Sequence, residues 1–211
     1  MTTIFTFYNN EAYRADAERL GRCCAHFGVP FEAVEGKELG SWVRNCNQKP
    51  RLLATVRKRV RGPIVWLDSD CVIHRPPATL LEPRSADAML WCGAITQKHY
   101  VSSQVMWWND TPAAHAIIDE WAALSLHHRD TLADWLLKRV IDTGWLDRAA
   151  IDTLPGHYIK PYWKPVEGVC SAAIVISSNE RRCTHVDATP RQDRVRLDPF
   201  YLPFETAADQ R

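Results

Sequence analysis

The sequence has no run of apolar residues approaching the length of a membrane span, so nothing in it reads as a transmembrane helix. Its first residues, Met-Thr-Thr-Ile-Phe, lack the basic start and apolar stretch of a secretory leader. No Cys-x-x-Cys pair occurs among the seven cysteines, and an odd number without a leader favours reduced thiols over a disulfide framework. A cytoplasmic protein is the expectation. Excess charge is missing too: 26 basic residues face 25 acidic ones, for a net +1, which selects neither a polyanionic nor a strongly acidic partner. Repeats and low-complexity linkers are absent. What is present is a chain of 211 residues, 46% hydrophobic and 24% charged, enough for one substantial core. A single α/β domain over residues 1–211 is the reading. Nine tryptophans are many for this length. They suit a core, or platforms on which a sugar or base could stack.

Strand and helix patterns alternate through the first seventy residues. Ile4 to Tyr8 alternates and is β-rich. Asn9 and Asn10 are N-cap candidates for a helix with Tyr13, Ala17, Leu20, Cys24 and Phe27 on one face, ended by Gly28 and Pro30. Phe31 to Val34 reads as a second strand. Residues 36–48 look irregular and polar around Trp42. Lys49-Pro50 starts a helix with Leu52, Leu53, Val56 and Val60 inward, and Arg51, Arg57, Lys58, Arg59 and Arg61 mostly outside that stripe. Such alternation predicts a mainly parallel sheet flanked by helices. Further on, Ala88 to Trp91 and Gln104 to Trp108 read as strands. Thr111-Pro112 caps a helix to about Leu126, and Thr131 begins another with Leu132, Trp135, Leu136 and Val140 inside. The last third carries short strands at His157 to Ile159 and Ala172 to Ile176, among many prolines.

The most informative stretch is Arg61 to Pro77. Gly62 and Pro63 punctuate its start, and the apolar run Ile64-Val65-Trp66-Leu67 suits a buried strand. Asp68 and Asp70 follow at once, separated by Ser69, at the place where an open α/β sheet binds ligands. Two carboxylates so close repel unless they share a proton or a cation. Their oxygens suit Mg²⁺ or Mn²⁺. Lys49, at a helix entrance, combines a positive charge with exposed backbone N–H groups that could meet phosphate. Thr131-x-x-Asp134 fits a capping-box variant.

The order of these features resembles a small nucleotide-diphospho-sugar glycosyltransferase of the GT-A type. The matching pieces are Gly40-Ser41-Trp42 leading to Lys49-Pro50, Asp68-Ser69-Asp70 with Pro76, Met106-Trp107-Trp108-Asn109 leading to Thr111-Pro112 and Glu120-Trp121, and the helix with Asp134 and Leu137. The resemblance, over roughly residues 2 to 176, implies a Rossmann-like GT-A domain with a mixed, mainly parallel sheet. It implies a metal-dependent transferase moving a sugar from a nucleoside-diphosphate sugar, a UDP-sugar being the favoured donor. By the same resemblance Tyr8, Asn9, Trp42, Lys49, Asp68 and Ser69 bind the donor, while Ser103, Trp107 and Trp108 bind the acceptor. Asp68, Asp70 and His185 would hold Mn²⁺ or Mg²⁺, with His157 a further histidine candidate. Asp134, and secondarily Asp87, are the catalytic candidates. The acceptor stays open between a glycan, a protein and a modified nucleic-acid base.

Two departures keep other readings in view. Trp135, not glutamine, follows Asp134, and Ser177-Ser178-Asn179, not histidine, follows the strand ending at Ile176. A non-catalytic nucleotide-sugar-binding protein is one alternative. A haloacid-dehalogenase-like phosphotransferase with Asp68 as nucleophile is another, because it also places Asp-x-Asp after an apolar strand.

Overall fold

A computed structural model describes residues 1–73, 76–95, 98–154 and 175–177. The chain opens with β1 (Thr3–Tyr8), α1 (Glu11–His26) and β2 (Phe31–Glu35). It continues through α2 (Trp42–Cys46), α3 (Lys49–Arg59), β3 (Ile64–Leu67), β4 (Cys71–Ile73) and α4 (Ala78–Leu81). Then come β5 (Ala88–Ile95), β6 (Lys98–Trp108), α5 (Pro112–His127), α6 (Ala133–Ile141), α7 (Trp145–Arg148), β7 (Ile151–Thr153) and β8 (Val175–Ser177). Six strands form one sheet in the order β2-β1-β3-β6-β5-β7, and β4 pairs with β8 in a small second one. The β1–β2, β1–β3 and β5–β7 pairs are parallel, whereas β6 runs antiparallel to both β3 and β5. The fold is thus α/β with a mixed, mainly parallel sheet.

Local chemistry accounts for the opening βαβ unit. Asn10 is the N-cap of α1, its Oδ1 accepting from the Tyr13 N–H at 3.1 Å, which leaves Asn9 for other work. Gly28 ends the helix with φ of 66°, a backbone that costs glycine nothing, and the Val29 N–H returns to the Cys24 carbonyl at 2.9 Å.

The period of two along β3 divides the core. Ile64 and Trp66 face one side of the sheet with Leu53, Val56, Ile117, Trp121 and Leu137. Val65 and Leu67 face the other, with Leu20, Cys23, Cys24, Ile73 and Val105. Neighbouring β6 obeys the same rule, so Trp108 enters the first cluster and Trp107 the second, both fully buried. The acceptor role expected for Trp107 and Trp108 is therefore corrected: consecutive indoles on a strand covered on both faces are core on both faces.

Several local expectations also change. Residues 36–48 include a short helix, α2, capped by Ser41, whose Oγ accepts from the Arg44 N–H. The helix expected from Thr131 starts at Ala133 and leaves Trp135 45% exposed, not inside. Arg57 is buried, ion-paired to Asp110 at 3.4 Å, although the stripe put it outside. The stripe misses it because α3 packs against α5 and the segment before it, covering a second face. Of the strand expected at Ala172 to Ile176, Val175 and Ile176 fall in β8, while its first three residues, His157 to Ile159 and His185 lie outside the described residues.

Candidate functional site

The C-terminal end of β3 positions the aspartate pair. The Asp68 N–H donates to the Gln104 carbonyl on β6 at 2.9 Å, and the Cys71 N–H donates back to the Asp68 carbonyl at 2.9 Å. Asp68-Ser69-Asp70 is consequently a tight turn between β3 and β4, pinned to the neighbouring strand. Asp68 keeps 25% of its side chain exposed, while Ser69 and Asp70 are buried.

A cleft opens over this turn. Phe7, Asn9 and Tyr13 line one wall and Trp42, Asn45 and Cys46 the next. Lys49, Asp68, Ser69 and Asp70 form its floor with Ser103 and Gln104, and Leu132, Ala133 and Asp134 close the far side. Its empty space, open mouth included, is ≈ 800 Å³, much of it open to solvent above the floor. Of the residues singled out in the sequence, the cleft gathers Asn9, Trp42, Lys49, Asp68, Ser69, Asp70, Ser103 and Asp134.

Tyr8 is not among the lining residues. Alternation along β1 sends Phe7 and Asn9 to the cleft and Tyr8 to the other side, where the Arg14 guanidinium sits 5.1 Å from its ring centroid. Asp87 is far from the cleft, which corrects its candidacy for catalysis. It precedes Ala88, which is level with Ile64 through Trp108, so it lies at the opposite end of the sheet from Asp68. That is on the order of 15 Å along the strands. Its carboxylate is occupied there by the Thr111 hydroxyl at 2.6 Å and the Ala150 N–H at 2.8 Å.

Asp134 is in the cleft for a reason the capping-box expectation missed. Leu132 is the N-cap of α6 and makes no side-chain cap bond. Asp134 Oδ1 instead accepts from the Ser103 N–H at 3.2 Å and from the Ser103 hydroxyl. Ser103 Oγ also accepts from Lys49 Nζ at 2.9 Å. Being buried with its hydroxyl committed on both sides, Ser103 is part of the floor; the acceptor contact expected of it is not what its hydroxyl makes. Lys49 Nζ completes its bonds with the Ser103 carbonyl at 3.0 Å and Asp68 Oδ1 at 2.6 Å. All three ammonium hydrogens are spent inside the protein, so the expected phosphate contact finds none left.

Charge on the floor is unevenly compensated. Burial lowers the Lys49 pKa, but the Asp68 and Asp134 carboxylates outweigh it and the net direction is upward. Asp70 fares differently: burial, then the nearby charges of Asp68 and Asp16, push its carboxyl up to about 8. Burial first, and the neighbouring acids second, favour the neutral form of this carboxyl. The site fits a hard divalent cation, whose charge would ionise Asp70 and whose preference is for carboxylate oxygen. Asp68 and Asp70 are the carboxylates that would hold such an ion, and no group of three His, Cys, Asp or Glu side chains gathers among the described residues.

The sequence reading missed Glu38, on the loop between β2 and α2. Its carboxylate accepts from Asn9 Nδ2 at 3.2 Å, Asn10 Nδ2 at 3.3 Å, the Gly40 N–H at 3.0 Å and Asn45 Nδ2 at 2.6 Å. It thereby orients two cleft-lining amides. No local pattern announces a residue whose partners come from three separate segments.

This geometry can be set beside known proteins. No protein-family model and no curated protein matches the chain by sequence. Solved structures do match. A glycosyltransferase involved in the glycosylation of the major capsid of PBCV-1 superposes with a TM-score of 0.66 at 14% identity, covering 87% of this chain and 98% of its own. The fold is the GT-A glycosyltransferase fold. The apo glycosyltransferase GlyE of Streptococcus pneumoniae TIGR4 matches with a TM-score of 0.59 at 9% identity, over 95% of this chain and 58% of GlyE. The galactosyltransferase LgtC, solved with donor and acceptor sugar analogs, matches with a TM-score of 0.53 at 9% identity, over 89% of this chain and 92% of LgtC. The expected GT-A architecture is met over most of the chain. Among the described residues no helix is long and apolar enough to cross a membrane.

Proposed function

We propose that this protein is a metal-dependent glycosyltransferase that takes a sugar from a nucleoside-diphosphate sugar, a UDP-sugar first among them. The observation that carries the reading is Asp70: a buried carboxyl, pushed up to about 8, on a turn at the exit of the central strand and lining an open cleft. Asp70, with Asp68, would hold Mn²⁺ or Mg²⁺. Such an ion, when bound, offsets the negative charge that gathers on a diphosphate leaving group. Asn9 and Trp42, both lining the cleft, would offer an amide and an aromatic face to the nucleoside. Asp134, from the opposite wall, is the candidate to face the reacting sugar. The acceptor enters from the open mouth; a glycan, a protein and a modified nucleic-acid base remain its candidate classes.

The test is a thermal-shift series of sugar nucleotides with and without Mn²⁺. A ligand at 100 times its Kd stabilises by about 2.7 kcal/mol, enough to read directly. Stabilisation that needs both components, and disappears in Asp70→Asn, is the expected result. Stabilisation by a nucleoside diphosphate with no sugar release from any donor would favour a binding protein instead. Release of phosphate from simple phosphoesters would favour the phosphotransferase.

A further inference from the structure

The proposed function uses Asp68, Asp70 and Asp134, and leaves unexplained why a lysine lies buried between them. Lys49 is 4% exposed, and a lysine taken out of water is costly unless each donor finds an acceptor. Here each does: the Ser103 carbonyl, the Ser103 hydroxyl and Asp68 Oδ1.

The direction of these bonds is dictated by chemistry. An ammonium has no acceptor, so Ser103 Oγ must accept from Lys49, and the single hydroxyl hydrogen is left to donate to Asp134. Lys49, Ser103 and Asp134 thus form a one-way relay, whose other branch ends on Asp68. It joins four elements: the start of α3, the end of β3, the middle of β6 and the first turn of α6. Asp68 lies on the cleft floor and Asp134 on the far wall.

We propose that Lys49 is a positioning residue that sets Asp68 and Asp134 relative to one another through Ser103 and makes no contact with the donor. This rests on the glycosyltransferase reading for its bearing on catalysis, but the relay itself can be tested without substrate. The first experiment is a double-mutant cycle read by thermal denaturation with no ligand. Asp134→Asn should lower the midpoint at least twice as much in the native background as in Lys49→Met. If Lys49→Met does not fold, Ser103→Ala replaces it in the same cycle, with the same expectation. Additive shifts would overturn the relay.

The second experiment separates positioning from contact. In Ser103→Ala, UDP binding in the presence of Mn²⁺, measured by calorimetry, should stay within about twofold of native, while turnover of a UDP-sugar falls about tenfold. Weakened UDP binding with unchanged turnover would make the floor a direct ligand and sink the proposal, as would no change in either quantity. Failure of the native protein to bind UDP or any UDP-sugar is a different result: it refutes the glycosyltransferase reading, and the ligand-free cycle then decides the relay alone.

Discussion

The two ends of the central sheet carry the same kinds of side chain and use them in opposite ways. At the N-terminal end of β3 and β5, Asp87 caps through Thr111 and Ala150, and Asp110 receives the Gly62 N–H at 2.9 Å, His115 Nε2 at 2.9 Å and Arg57 at 3.4 Å. That backbone N–H first, then His115 and Arg57, hold the Asp110 carboxyl below its ordinary value. At the C-terminal end, burial and two neighbouring carboxylates push Asp70 up to about 8. One end ties its carboxylates to backbone, hydroxyl and guanidinium donors and is structural. The other holds a raised buried acid and opens into a cleft. Acidic residues alone therefore do not mark the site; a strongly shifted acid beside a cleft does.

Substitutions at the two ends should separate cleanly. The largest effect on activity is expected from Asp70→Asn, which should cut metal-dependent sugar transfer on the order of 100-fold. Denaturant melts of that variant at pH 7 should show no loss of stability. An Asp70→Asn protein with native transfer rates would end the contrast.

The largest effect on stability is expected from Trp107→Ala, which should cost about 3–5 kcal/mol in urea unfolding because it empties a core site, not an acceptor site. A variant of native stability would return Trp107 to the cleft.

The pH dependence sharpens the comparison further. Asp70 has a raised folded-state pKa, so its contribution to stability without metal is present below its ordinary 3.8 and is lost as pH rises through about 8. Mn²⁺ must displace that proton. Its affinity should consequently climb about tenfold per pH unit up to pH 8 and then level, with proton release measurable by calorimetry in two buffers. Asp110 runs the other way: its contribution is present above its ordinary value and is lost as pH falls through the depressed one. Asp110→Asn should accordingly flatten the acid limb of the unfolding curve and leave the Mn²⁺ profile untouched.

The smallest effect is expected from Asp87→Asn, about 1–2 kcal/mol of stability through weaker bonds to Thr111 and Ala150, with unchanged donor binding. A tenfold loss of transfer at native stability would put Asp87 back at the site.

Much of this was legible in the residues themselves. Local signals placed α1 between Asn10 and Gly28, started α3 at Lys49, and marked Ile64 to Leu67 as the strand delivering Asp68 and Asp70. Those signals work because caps, glycine turns and short apolar runs are decided by neighbours in sequence. Trp107 and Trp108 were misjudged because nothing local tells a tryptophan covered on both faces of a sheet from one beside a cleft. Glu38 escaped notice because its four donors come from Asn9, Asn10, Gly40 and Asn45.

By itself, then, the amino-acid order determined the alternation of strands and helices and the exit of two aspartates from a buried strand, since each rests on periodicity and short-range chemistry. Only the tertiary structure decided what each carboxylate meets. Asp134 and, secondarily, Asp87 are candidates in the chain, yet Asp87 is enclosed by Thr111 and Ala150 while Asp134 reaches Ser103 on the cleft floor. Lys49 likewise became an internal cation rather than a phosphate ligand. The physical reason is that compensation of a buried charge depends on distances between segments far apart in sequence, and those exist only once β3, β6, α3 and α6 have packed.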